Sequence, residues 1–334
     1  MNRFAFIDCT TVDHALAELS NGAVLKAGGI DLLDLMKEGI VNPPRLVNIR
    51  NVGSLRGISA AQDGLHIKPL ATLAEISEHP EIRRNYSALS DAAGHAATPQ
   101  VRNMATIGGN ITQRPRCWYF RSSDFDCRKK GGSSQECHAH DGENQYHAIA
   151  NNSTCASVHP SSTAVPLLAM DAQVEITSKR GKRNVKMSEF YVPPEKNLIN
   201  ETVLQPDEII TEIFVPRPEH GTRSAYQKYG EKESFDWPLA DAGVVLVMDG
   251  NKCSKAAIVL GVAAPTPIRS RDAEAALTDA VINETTARAA AKAAMANATP
   301  LSQNGYKVQL FQTAIYRTIL LAAGQMDRDP SAAG

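Results

Sequence analysis

The chain carries almost no net charge. Its 35 Lys and Arg residues against 36 Asp and Glu leave −1 at neutral pH. That balance offers no electrostatic footprint for nucleic acid or for an anionic membrane surface. No apolar run approaches the roughly 18 residues of a membrane span. The stretch Met1–Cys9 has one basic residue and no long apolar core, so it does not read as a secretory signal, and folding is expected to begin in the cytoplasm. Also missing are a Ser-His-Asp signature, an H-E-x-x-H helix, a P-loop and a G-x-G-x-x-G turn, so no catalytic residue is expected on this chain. The close cysteine pairs usual in zinc sites are absent as well.

What is present sits mostly between Thr106 and Pro160. This stretch opens with a glycine turn, Thr106-Ile107-Gly108-Gly109-Asn110, and then holds four of the six cysteines: Cys117, Cys127, Cys137 and Cys155. Nine, nine and seventeen residues separate them in turn. The insert between them has few apolar residues, so it cannot offset its own ordering entropy by burial. It is therefore either disordered or pinned by something else, and four thiols suggest a metal centre, because thiolates bind soft metals and binding contributes folding free energy. Wide, irregular spacing suits a cubane iron–sulfur cluster; zinc, or unligated cysteines, stay open on spacing alone. Two disulfides are disfavoured in a large chain without an export signal. His138, His140, His147 and His159 could each replace a cysteine, but polar surface histidines are the commoner outcome. Cys9 and Cys253, alone among apolar or strand-like residues, read as small buried hydrophobes.

In chain order, 334 residues suffice for two or three domains with real cores. Val12, Ala15, Leu16 and Leu19 have helical spacing behind Thr10 or Thr11 as N-cap. Residues 23–27 read as a strand that passes through Gly28-Gly29 into a helix at 32–37, a turn that lets backbone N–H groups approach a phosphate. Strands are expected at 45–49 and 65–70, a helix from Leu73 capped by Thr72, and a small-residue helix over 86–97. A helix over 164–170 precedes a hairpin of strands 172–177 and 183–187 turning through Arg180-Gly181-Lys182, then a strand at 208–215. After a linker at Pro216–Arg223, strands at 224–229, 243–248 and 256–260 lead into helices over 272–297, broken near 278–284, and 306–323. The fold class expected is α+β, with C-terminal helices on one face of an antiparallel sheet. Two glycine turns together suggest a clamp on a diphosphate.

The segments Ala27-Gly28-Gly29-Ile30-Asp31-Leu32, Arg102-Asn103 through Thr106-Ile107-Gly108-Gly109-Asn110, and Tyr226-Gln227-Lys228-Tyr229 with Ser234-Phe235-Asp236-Trp237-Pro238 resemble, in that order, the FAD-binding medium subunits of molybdenum hydroxylases. That group includes the flavoprotein subunits of xanthine dehydrogenase and carbon monoxide dehydrogenase. The resemblance spans nearly the whole chain. It implies a two-lobed FAD-binding domain of the PCMH type over 1–216 (lobe 1 about 1–58, lobe 2 about 59–216, insert 113–160) and a CO dehydrogenase flavoprotein-like α+β domain over 220–325. The four-cysteine insert is similar to that of medium subunits of periplasmic aldehyde oxidoreductase and 4-hydroxybenzoyl-CoA reductase, and Gln113-Arg114-Pro115-Arg116-Cys117 takes the aldehyde oxidoreductase form.

From the resemblance, Cys117, Cys127, Cys137 and Cys155 would hold a [4Fe–4S] cluster. Lys26, Ala27, Gly28, Gly29, Ile30, Asp31, Leu32 and Leu33 would wrap the FAD diphosphate, and Thr106, Gly109 and Asn110 would form the second clamp. Lys228 would approach the flavin, where its charge favours a reduced, anionic ring. Ile30 stands where Thr or Asn is usual, and Ser162 near a usual acidic residue, as a candidate ligand on the adenosine side. The implied protein is the FAD and iron–sulfur subunit of a heterotrimeric aldehyde oxidoreductase. A large partner would carry the molybdenum cofactor, a small partner the [2Fe–2S] clusters, and an external acceptor would take the electrons. A 4-hydroxybenzoyl-CoA reductase-like subunit, a zinc-stapled binding protein and a stand-alone flavin oxidase are the alternatives. Co-export with a small subunit bearing a twin-arginine signal implies a periplasmic location, with the cytoplasm as the fallback.

Overall fold

The computed structural model describes residues 1–232 and 235–327 and builds three sheets. Strands β1 (Ala5–Asp8), β2 (Val24–Lys26) and β3 (Arg45–Asn48) form a parallel sheet in the order β1-β3-β2. Parallel neighbours need crossover connections. Helices α1 (Val12–Glu18) and α2 (Ile30–Lys37) supply them. The Thr11 hydroxyl accepts from the His14 N–H and caps α1, which buries Ala15 and Leu16 against Val47 and Cys9.

The second sheet is antiparallel, in the order β4-β5-β8-β6-β7: β4 (Ile58–Ala60), β5 (Gly64–Ile67), β6 (Gln173–Ser178), β7 (Gly181–Lys186) and β8 (Ile209–Pro216). Val174 and Ile176 of β6 point inward with Ile213 and Val215 of β8, the period-2 pattern of a half-buried sheet. Helices Leu73–Glu78, Ser87–Gly94 and Ala164–Ala169 cover that face. Two details differ from the sequence expectation. The small-residue helix expected over 86–97 is shorter, Ser87–Gly94: Tyr86 lies outside helical geometry (φ −131°, ψ 42°) and His95 caps the other end. The hairpin turns through Lys179-Arg180, so Gly181, at φ 121°, is already the first residue of β7.

On the outer face of β5 and β8, His66 places Nδ1 2.9 Å from Glu212 Oε1 and Nε2 3.2 Å from Asp63. Only the doubly protonated ring donates to both. The Glu212 hydrogen bond, opposed by burial and helped by Asp63, raises the His66 pKa. A group whose folded pKa is raised contributes stability that is fully present below its unfolded value, near 6.5, and lost as pH rises through the folded one. The His66 contribution to the unfolding free energy from urea melts is therefore expected to fall by less than about 1 kcal/mol between about pH 6 and about pH 8, read as the difference between wild type and His66→Gln.

The third sheet, in the order β12-β11-β10-β9, is also antiparallel: β9 (Thr222–Tyr229), β10 (Ala240–Asp249), β11 (Lys252–Leu260) and β12 (Ile268–Arg269). Helices Arg271–Leu277, Glu284–Ala294 and Tyr306–Ala322 pack on one face through Phe311, Ile315 and Ile319. The break between the first two falls where expected and ends in an Asn283–Thr286 capping box. The opposite face is covered too. Tyr226, Ala257 and Val259 join the core of the second sheet, and Gly243 lies so close to Val165 that a Cβ would come within 2.8 Å of it. Cys9 and Cys253 are fully buried in separate cores, as expected. Among the described residues no helix is long and apolar enough to cross a membrane.

Candidate cofactor-binding site

The two glycine turns meet at the seam between the first two sheets. β2 ends at Lys26, and the chain turns through Gly29, at φ 82°, straight into α2. Gly28 is pressed on Met104, two residues before Thr106: a Cβ there would lie 2.0 Å from the Met104 carbonyl oxygen. The contact tolerates only glycine and sets both turns side by side. The first-turn N–H groups of α2 have no intrahelical acceptor, and the helix dipole favours an anion in front of them. Lys26 Nζ donates to Asn48 Oδ1 and to the Ala27 carbonyl, each at 3.3 Å. Burial lowers its pKa, and Arg50 lowers it further. The Ile30 side chain is exposed. A cleft of about 340 Å³ along this contact is lined by Gly28, Arg50, Arg56, Asn103 and Thr106. A larger one, near 610 Å³, lies far from it in sequence terms, around Tyr86, Arg217 and Glu219, and contains none of the expected residues.

The second turn is committed inside the chain. The Ile107 N–H donates to Ala71, the Gly108 N–H to Pro69, and the Gly109 N–H to Thr106 Oγ1 at 3.2 Å. What it presents is a bare glycine surface and one side-chain amide. Asn110 Oδ1 accepts from Ser161 Oγ at 2.7 Å and Thr163 Oγ1 at 2.6 Å, which turns the Asn110 NH2 group away from both hydroxyls. The sequence offered Ser162 as the ligand, and its neighbours Ser161 and Thr163, both buried, are the ones that reach Asn110.

The insert is ordered by far more than its cysteines. Asn144 Nδ2 donates to Ser302 Oγ and its Oδ1 accepts from the Gln303 N–H; Asn304 Nδ2 donates to the His147 and Ala148 carbonyls. Lys307, fully buried, donates to the carbonyls of His147 and Val262, both at 3.0 Å. Trp118 packs edge-on to His147 at 4.9 Å and Tyr119 to Phe125 at 4.8 Å, an aromatic nucleus that composition understated. The segment expected to be either disordered or pinned is pinned within the chain: buried amides and a lysine satisfy its backbone.

The four cysteines are free thiols that feel one another's charge: Cys117 with Cys155 and Cys127, Cys127 with Cys155, and Cys137 hydrogen-bonded to Cys155. Burial pushes the Cys117 thiol up to about 12 and raises Cys127. In the coupled pair, the hydrogen bond from Cys137 pulls Cys155 down, with Ser157 and Lys129 helping, while Cys137 is raised and keeps the proton. The sequence-expected tetrathiolate centre is not present as a closed ligand set. Among the described residues no three His, Cys, Asp or Glu side chains stand close enough to share one metal ion. His147, one of the histidines that could replace a cysteine but were expected at the surface, is buried and puts Nε2 3.2 Å from Cys117 Sγ; burial lowers its pKa to about 4.

Lys228 lies opposite Asp241 in the β9–β10 ladder and donates to the Asp236 carbonyl at 3.1 Å; burial lowers its pKa. Ser162 is buried and hydrogen-bonds Tyr226, whose hydroxyl donates to Asp241 at 2.8 Å. Ser162 is thus engaged with β9 rather than displayed. Ser234, part of the motif quoted above, lies outside the described residues. The Arg116 guanidinium lies 4.5 Å over the ring of Trp237, joining the insert to the loop that follows Lys228.

Comparison with known proteins adds the following. The family model "FAD binding domain in molybdopterin dehydrogenase" matches residues 2–218, and "CO dehydrogenase flavoprotein C-terminal domain" matches 224–322. The aldehyde oxidoreductase FAD-binding subunit PaoB of Escherichia coli (strain K12) is 33% identical over 319 residues, covering 95% of this chain and 96% of that one. The putative xanthine dehydrogenase FAD-binding subunit XdhB of the same organism is 30% identical over 303 residues, covering 89% and 87%. Among solved structures, a carbon monoxide dehydrogenase from Hydrogenophaga pseudoflava lacking the Mo-pyranopterin moiety superposes with a TM-score of 0.76 at 26% identity, covering 98% of this chain and 99% of that one.

Proposed function

This chain belongs to the family of FAD-binding subunits of molybdenum hydroxylases, and we propose that it serves as the FAD and [4Fe–4S] subunit of a heterotrimeric aldehyde oxidoreductase that converts aldehydes to carboxylic acids. The observation that carries the reading is the Gly28–Met104 contact, which sets two glycine turns beside the open N-terminus of α2. FAD, when bound, supplies one- and two-electron redox chemistry between a partner's [2Fe–2S] clusters and an external acceptor. Lys26 through Leu33 hold the diphosphate: the α2 amides face it, and Gly28 and Gly29 remove the side chains that would keep it at a distance. Asn110 offers its NH2 group, with Thr106 and Gly109 shaping the wall. Lys228 brings positive charge, balanced by Asp241 across the ladder. No general acid or base is required here, since bond making at carbon belongs to the molybdenum-bearing large partner.

The donor chemistry fits a cluster. Cys117 and Cys127, whose thiols burial keeps protonated, would give up their protons to a cationic metal centre, while Cys155, pulled down by the hydrogen bond from Cys137, is the readier thiolate. Ligation requires Cys117, Cys127, Cys137 and Cys155 to turn onto a common centre. The 33% identity to the aldehyde oxidoreductase subunit, against 30% to the xanthine dehydrogenase subunit, supports the aldehyde reading. The location we propose is that of the assembled complex, the periplasm, reached through a partner's export signal; cell fractionation checks it.

The test is metal and flavin content after anaerobic purification, with spectra before and after dithionite. One FAD and about four iron per chain, bleaching on reduction, is expected. Zinc without iron would remove the cluster, and a flavin-free chain that binds no added FAD would sink the reading. Aldehyde turnover should require the partners; steady turnover by the isolated chain would point to a flavin oxidase instead.

A further inference from the structure

Asp31 stands in the first turn of α2, where the sequence suggests a cofactor contact, yet its carboxylate faces the cysteine insert. Asp31 Oδ1 accepts from Arg116 Nη2 at 2.8 Å and Arg121 Nη2 at 2.7 Å, and Oδ2 accepts from the Arg114 N–H at 2.9 Å. One turn on, Asp34 pairs with Arg121 at 3.1 Å. Arg121 also donates to the Pro115 and Arg114 carbonyls, which folds the start of the insert around its guanidinium. The Asp31, Arg116 and Arg121 side chains are 17%, 19% and 11% exposed, so these are not screened surface pairs. Arg116 Nε is buried without a partner, so that guanidinium is held by Asp31, by Gln113 Oε1 at 3.1 Å, by Asp34 at 3.6 Å and by its stacking over Trp237.

The other side of the insert is bolted in the same way. Arg114 Nε and Lys129 Nζ reach Glu201 at 3.1 and 3.0 Å, and Lys129 also donates to the Leu198 carbonyl. The insert therefore sits between α2 and the 198–201 segment, with charged pairs on both sides. Because α2 begins at the diphosphate turn, whatever holds its first turn also sets the direction of the amides in front of it. An ordered insert fixes that turn; a loosened one frees both the helix and the Asp31 carboxylate, which then competes with a phosphate for the same helix end.

We propose that the cysteine insert gates cofactor binding through Asp31, a positioning residue that ties the diphosphate turn to Arg114, Arg116 and Arg121, so that the FAD site is complete only when the insert is ordered. This rests on the reading that the Lys26–Leu33 turn holds the FAD diphosphate. The site then assembles with the insert rather than before it, and damage anywhere along the insert's anchors reaches the flavin.

The test measures FAD affinity of the full-length chain by flavin fluorescence for wild type, Asp31→Asn, Glu201→Gln and the double variant, with circular dichroism and thermal midpoints recorded on each. Coupling between sites commonly spans ~5–150-fold, and Asp31→Asn is expected to weaken FAD by about tenfold or more. Glu201→Gln, which touches the insert rather than α2, should weaken it severalfold. The double variant should bind no worse than Asp31→Asn within about a factor of two, because the second change then breaks a link already cut. Should Asp31→Asn not fold, Arg121→Lys, which keeps the charge but not the fork, carries the same comparison. Wild-type affinity in Glu201→Gln, or additive losses in the double variant, would overturn the gating. A wild-type chain that binds no FAD would overturn both this and the reading it rests on.

Discussion

Gly28→Ala is expected to abolish flavin retention. The added Cβ would meet the Met104 carbonyl oxygen at 2.0 Å, its carbon at 3.0 Å and Ala105 Cα at 3.5 Å. All three are backbone atoms, so no rotamer change relieves the clash. They are also held from behind: the Met104 and Ala105 N–H groups donate to Val101, and the Ala105 carbonyl accepts from Leu73. The chain can respond only by parting the two turns, and with them the surface that faces the diphosphate. Overpacking typically costs about 1–3 kcal/mol, and a rigid backbone contact belongs at the upper end. FAD affinity should fall on the order of 100-fold, the equivalent of about 3 kcal/mol concentrated at the seam. The absorbance ratio at the flavin and protein bands reads the effect directly. Gly53→Ala is the control, since a Cβ there meets nothing within 4 Å and its φ is not in the left-handed range. Equal flavin content in the two variants would show that the Gly28 contact does not shape the cofactor site.

Cys155→Ser should remove most or all of the iron. Cys155 is the buried thiol at which the electrostatic contacts from Cys117, Cys127 and Cys137 converge, and it also contacts Ser157 at 3.3 Å. A serine hydroxyl is a poor substitute for a soft thiolate ligand. Cys117→Ser, Cys127→Ser and Cys137→Ser should each lower iron content as well. Cys253→Ala should leave it unchanged, because that thiol is buried in the β10–β11 core and donates to the Lys255 carbonyl. The measurement is iron per chain with the visible spectrum. Unchanged iron in all four serine variants would end the cluster assignment and leave the insert held by its amides and arginines alone. The insert's asparagine and lysine contacts predict that these variants stay folded, so that a loss of iron is read against an intact chain.

Much of the architecture was legible because it is written in local repeats. The alternation in 208–215 gives a strand whose inward face needs no knowledge of the partner strand. The small-residue helix expected over 86–97 is present as Ser87–Gly94, shorter at both ends because Tyr86 leaves helical geometry and His95 caps it. The C-terminal sheet was expected to carry helices on one face, and both faces proved covered; the second cover comes from Ser87–Gly94 and Ala164–Ala169, elements far earlier in the chain.

The sequence by itself determined the alternation of strands and helices, the two glycine turns, the four-cysteine insert and the kinship to FAD-binding medium subunits. Each is a pattern within a few residues or a motif in fixed order. Only the tertiary structure decided that Asp31 turns to the insert's arginines, that Ser161 and Thr163 orient Asn110, and that Asn144, Asn304 and Lys307 satisfy the insert's backbone. Those pairs lie 83 to 90, 51 to 53 and about 157 to 160 positions apart in the chain. A polar side chain has several acceptable partners in a sequence and one in a fold, because a buried donor or acceptor must be matched wherever packing happens to bring its complement.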